Sequence, residues 1–287
     1  MSLILYLAGL LALSTGLYFI RKSNEEQNAV IYLVFTAVLF MIIQAAEAAI
    51  INIIPIIRIN AATFGMIHVI EGVVLWYFIL AKGSRQKYFF KGADIAALIV
   101  VAIVVAIVAV RQFGIQFDNF NFRADSDAAR HYIYARNVAD QGNISGIFFS
   151  ALNSGLIMNA FRGFINEFSF YRIFLFYQTC ILFLNGAMFW VLIRRYLKDK
   201  FSIAVGIGGT LAYVLGYPWN SMVYGSAYLF TCIMCVTMTI FLLDMFYNDI
   251  FCSKKGTIFL LLISAFAVLS SYPLFILPVL GVILLLI

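Results

Sequence analysis

A chain of 287 residues that is 64% hydrophobic and only 11% charged, with a mean hydropathy of +1.00, is too apolar for a soluble globular domain. Long apolar runs recur from one end to the other, which is the pattern of a polytopic membrane protein. The net charge of +6 comes from lysines and arginines gathered in short links between those runs, so it marks topology and excludes a nucleic-acid-binding face.

Backbone polar groups in hydrocarbon must be paired within the segment, so the runs are expected to be helices. Continuous stretches such as Ala93–Val110 lack the alternation of barrel strands. The expected fold class is therefore all-α, a transmembrane bundle of eight or nine helices. The first run, Leu3–Ile20, has no basic residue before it and Arg21-Lys22 after it, the reverse of a secretory signal. It reads as an uncleaved helix with its N-terminus outside. Runs at 29–54 and 61–81 follow, and the three together make an N-terminal membrane extension over residues 1–91. Residues 92–287 form the expected core, with helices at 93–110, 173–193, 201–215, 223–247 and 257–271 and an incomplete one at 274–287. Pro273 is expected to end the eighth helix, because the residue before a proline is biased away from helix.

The links after runs one, three, five and seven carry two, four, four and two basic residues, whereas those after runs two and six carry one and none. By the positive-inside rule this puts the long segment Arg111–Arg172 outside the cytoplasm, and the expected setting is a bacterial plasma membrane. Cys232 and Cys235 form a C-x-x-C inside an apolar run and read as buried small hydrophobes. Glu47, His68 and Glu71 lie within the second and third runs, where ionisable groups are expensive. They read either as a lock between helices or as part of a proton or ion pathway.

The external segment holds the densest polar stretch, Asp118–Gly142. Asp125-Ser126 is a plausible helix start, and from there Asp127, Arg130, His131 and Tyr134 fall at i, i+3, i+4 and i+7 on one face. One reading is a solvated surface helix with a local Asp127–His131 pair. The other is chemical: a carboxylate serving as general base, with arginine forks for phosphate oxygens. The Phe-, Leu- and Ile-rich part at 144–170 suggests helices lying in the interface plane.

The opening D-x-D-x-x-x-H/Y, here Asp125, Asp127, His131 and Tyr132, follows a helix that leaves the cytoplasm and starts an amphipathic helix. In this the chain resembles the GT-C superfamily of integral-membrane glycosyltransferases, from about Ala93 onward. The resemblance implies sugar transfer from a polyprenyl-phosphate-linked donor to an extracytoplasmic acceptor. By that likeness Asp127 is the first choice for the base and Asp125 the second, with Arg130, His131, Tyr134 and Arg136 as contacts to donor phosphate or sugar. Some members use a divalent metal held by external acidic residues, which this sequence does not require. Two features depart from the family: the three helices before Ala93, and an end within an apolar run, as expected of an N-terminal piece or a reduced relative. Two other functions fit the sequence. One is a transporter or flippase of a lipid-linked saccharide that switches on Glu47, His68 and Glu71, and the other is a non-catalytic membrane scaffold.

Overall fold

The apolar runs are helices. A computed structural model describes residues 1–19, 27–54, 56–82, 88–118, 127–144, 148–196, 200–216, 227–248 and 254–286. Among these, α1 spans Ser2–Phe19, α2 Ala29–Ile53, α3 Ala61–Lys82 and α4 Gly92–Asp118. They are followed by α5 (Asp127–Gln141), α6 (Phe149–Phe161), α7 (Glu167–Tyr196) and α8 (Lys200–Leu215). The last three are α9 (Ala227–Asn248), α10 (Lys254–Ser271) and α11 (Ile276–Leu286). Seven of the described helices, α1–α4, α7, α9 and α10, are long and apolar enough to cross a membrane. The molecule is an all-α membrane bundle. Extended pairing among the described residues is confined to a two-residue parallel contact of Gln27–Asn28 with Tyr88–Phe89 and a single bridge between Arg162 and Ile165.

The helix between residues 257 and 287 is broken as the proline predicts. α10 stops at Ser271, Tyr272 is extended, Pro273–Phe275 form one turn of 3-10 helix, and α11 starts afresh. α4 and α7 outrun the apolar stretches that mark them, continuing to Asp118 and starting at Glu167. The segment between them is therefore shorter than hydropathy alone suggests. Cys232 and Cys235 are wholly buried thiols in α9.

α1 and α3 run side by side in the same direction, and small residues set their spacing. A side chain at Gly9 would come within 2.5 Å of the Gly65 carbonyl, and one at Gly65 within 2.5 Å of the Leu5 backbone. Two turns further on, a side chain at Gly72 would come within 2.5 Å of the Ala12 backbone. Helices in lipid gain little from apolar burial against each other, so such close backbone approach supplies the packing. α2 is central and touches α1, α4, α6, α7, α9 and α10.

At the end of the bundle that carries the basic links, Asn28 caps α2 by accepting from the N–H groups of Val30 and Ile31. Its amide nitrogen donates to Asp94 Oδ2 at 2.6 Å, and Arg194 Nε donates to Asp94 Oδ1 at 3.0 Å. Asp94, Asn28 and Arg194 are all buried, so this polar knot ties the starts of α2 and α4 to the end of α7. Arg195 of α7 pairs with Asp244 of α9 beside it.

The opposite end is capped by α5 and α6. α6 is buried along most of its length and contacts α1, α2, α3, α5, α7, α9 and α10. The reason is that its phenylalanine, leucine and methionine side chains meet protein on every side, with Gly155 letting α5 approach: a Cβ there would sit 2.6 Å from the Ala135 carbonyl. Asn159 fixes the arrangement by accepting from the Ala61 N–H at the start of α3 and donating to the Ala139 carbonyl of α5.

Candidate functional site

α5 carries most of the residues singled out by the sequence, and its first residue is Asp127. Asp125 falls outside the described residues. The face shared by Asp127, Arg130, His131 and Tyr134 is split by burial: Asp127 and Arg130 are exposed, Tyr134 is half-buried and His131 is buried. His131 does not project toward solvent because α9 passes over it. Its ring stacks on Tyr228 with centroids 4.5 Å apart and planes 20° apart, and Tyr134 meets it edge-on at 5.8 Å. Burial pushes the imidazole down to about 4 despite the opposing pull of the Asp127 carboxylate, so at neutral pH the ring is uncharged. His131 thus offers a flat neutral surface. Its Nδ1 has no hydrogen-bond partner among the described residues.

Tyr228 is the residue that sequence reading missed. Its hydroxyl lies 3.5 Å from Asp127 Oδ2, at the outer limit of a hydrogen bond, and its ring leans on Tyr272 at 5.6 Å. The outcome is a carboxylate at the rim of an aromatic wall made by His131, Tyr228 and Tyr272. These come from α5, the start of α9 and the break after α10, so only the assembled bundle brings them together. The sequence signal available was weak: Tyr228 and Tyr272 both fall at the ends of apolar runs that return to the same side as α5.

The Arg136 guanidinium donates to Asp140 at 2.9 and 3.1 Å and to both carboxylate oxygens of Glu167, and it rests over the Phe170 ring at 4.9 Å. The Glu167 carboxylate holds its pKa above the ordinary arginine value. Arg162 lies 3.5 Å from the other oxygen of Asp140. Together these charges clamp α5 to the start of α7. Arg136 also borders, with Tyr132, Glu167 and Phe168, a cavity of about 350 Å³. Tyr132 packs edge-on to Tyr171 and Phe174, and burial raises its phenol pKa. Arg130 is exposed one turn along from Asp127 and is the cation of α5 placed to meet a ligand there.

The structure also joins residues from the second and third runs. His68 of α3 is completely buried, and its Nε2 is 2.8 Å from Glu47 Oε2 of α2. Glu71, one turn further along α3, completes a group whose donor atoms all lie within 4.8 Å of one another. The edges of Phe40 and Phe64 enclose the imidazole.

Compared with models of known protein families, with curated proteins and with solved structures, the chain matches none.

Proposed function

We propose that this protein is a membrane glycosyltransferase that moves a sugar from a polyprenyl-phosphate donor to an acceptor outside the cytoplasm. On this reading the end of the bundle covered by α5 and α6 faces outward and the end with the basic links faces the cytoplasm, as the distribution of lysine and arginine supports. The observation that carries the proposal is the pairing of the exposed Asp127 carboxylate with the His131–Tyr228–Tyr272 wall. A sugar ring has apolar C–H faces that stack on aromatic rings, and its hydroxyls need a base to become nucleophiles. Asp127 is the base in this scheme: it accepts the acceptor hydroxyl proton as the hydroxyl oxygen attacks the anomeric carbon. The bond from that carbon to the phosphate oxygen breaks, and the lipid phosphate leaves as an anion. Arg130 supplies the planar fork that meets the leaving phosphate. Arg136, committed to Asp140 and Glu167, holds α5 in place.

The test is transfer of labelled sugar from polyprenyl-phosphate-linked donors in membranes containing Asp127→Asn. Loss of a general base lowers the rate by roughly 100- to 10,000-fold, with protein abundance unchanged. If the wild-type chain supports no sugar transfer and Glu71→Gln abolishes movement of a lipid-linked saccharide across the membrane, the protein is instead its transporter. If neither substitution has an effect, the scaffold reading stands.

A further inference from the structure

The cluster of Glu47, His68 and Glu71 takes no part in the transfer chemistry, yet it places three ionisable side chains together inside membrane-spanning helices. Counting along the helices, it lies roughly 9 to 15 Å below the ends of α2 and α3 that face α5, well inside a hydrocarbon layer about 30 Å thick. Linking α2 to α3 requires only one acid, and His68 with Glu47 already supplies that link at 2.8 Å. The second acid, Glu71, is not needed for that link and sits within the same few ångströms. Glu47 Oε1, Glu71 Oε2 and His68 Nδ1 are sealed from solvent without a hydrogen-bond partner among the described residues. Buried polar atoms are paired in the great majority of cases, so the two carboxylate oxygens, Glu47 Oε1 and Glu71 Oε2, call for an occupant between the acids.

Both glutamates line a cavity of about 440 Å³ between α1, α2, α3 and α10. Its other walls include Leu13, Leu17, Phe259 and Ile263, which offer no charge to oppose the acids. We propose that Glu47, His68 and Glu71 bind one divalent cation of the zinc class. One imidazole nitrogen with two carboxylate oxygens is a donor set for Zn²⁺ or a neighbouring first-row ion rather than for Mg²⁺ or Ca²⁺, which prefer oxygen throughout. A single doubly charged ion neutralises the two carboxylates, removing the electrostatic burden of placing them together in a low-dielectric region. Tetrahedral zinc wants donor atoms about 3.3 Å apart, and the observed separations, at most 4.8 Å, lie close to that. Three protein ligands leave the fourth position directed to the cavity. The ion pins the middle of α3 to α2, below the α5–α6 cap.

The experiment uses the full chain in lipid nanodiscs, freed of any affinity tag and stripped with chelator. Co²⁺ is titrated in and its visible absorption followed, with zinc content measured after incubation and washing. The expected result is one ion per chain and the intense bands of low-symmetry cobalt. Glu47→Gln, His68→Gln and Glu71→Gln should each weaken binding by more than the roughly 10- to 100-fold that follows loss of an outer partner. Three variants are used so that poor folding of one leaves two readings. Folded wild-type protein that retains only substoichiometric zinc and gives no cobalt bands overturns the proposal. So does an ion held equally tightly by the folded variants. Because the readout is binding, its failure leaves the role of Asp127 untouched, and loss of transfer in Asp127→Asn leaves this site untouched.

Discussion

His131 shows how one residue changes meaning between sequence and structure. In the sequence it sits four residues after Asp127 and invites an ion pair; in the structure it is a buried neutral ring against Tyr228. The difference has a measurable sign. The unfolded chain protonates this imidazole at an ordinary value near 6.5, whereas the folded one resists until about 4. Between those values the unfolded state binds more protons, so stability is fully present above the unfolded value and falls as pH drops through the window. The loss attributable to this residue is on the order of 3 kcal/mol. His131→Phe keeps the stacking and removes the proton site, and it should flatten the acid limb of thermal unfolding in detergent. If wild type and variant lose stability in parallel between about pH 6.5 and about pH 4, the imidazole is not the cause.

At the scale of elements, the α1–α3 pair is the contact least tolerant of change. Its two backbones approach through Gly9, Gly65 and Gly72, where any added side chain meets the main chain of the partner helix. Gly65→Val should cost about 1–3 kcal/mol or more by overpacking, read as a lower melting temperature and reduced recovery of folded protein. An unchanged melting temperature would mean that the helices separate freely. Helical identity was legible from the apolar runs, and the break at Pro273 from a single residue. The fate of α6 was not. Thirteen residues rich in apolar side chains read equally well as an interfacial helix, and only the positions of seven other helices decide that it is enclosed. The pairing of His68 with Glu47 was hidden for the same kind of reason. The i, i+3 spacing of His68 and Glu71 is local, but the register of α2 against α3 is set by tertiary packing.

For the molecule as a whole, the buried knot of Asn28, Asp94 and Arg194 joins residues 66 and 100 positions apart and closes the end opposite α5. Asp94 stands in the first turn of α4, where an acid is ordinary, so the apolar pattern around it carries no sign of the knot. Asp94→Leu leaves Arg194 in the interior without its carboxylate and should cost about 3–5 kcal/mol. Asp94→Leu combined with Arg194→Met should recover much of that loss in thermal unfolding, since a well-packed apolar pair replaces two desolvated charges. A double variant no more stable than the single one would show that Arg194 does not depend on Asp94.

The enclosure of α6 also constrains how the protein is made. α6 leaves the ribosome before α7, α9 and α10, which later surround it. At 13 residues it is too short to cross a bilayer by itself. Until residues as late as Phe266, which packs against Phe148 just ahead of α6, have entered the membrane, α6 has only α1, α2, α3 and α5 as neighbours and the side covered by α7, α9 and α10 stays open. The order of synthesis therefore sets the order of closure: α6 first meets α1, α2, α3 and α5, and α7, α9 and α10, which follow it in the chain, complete its shelter.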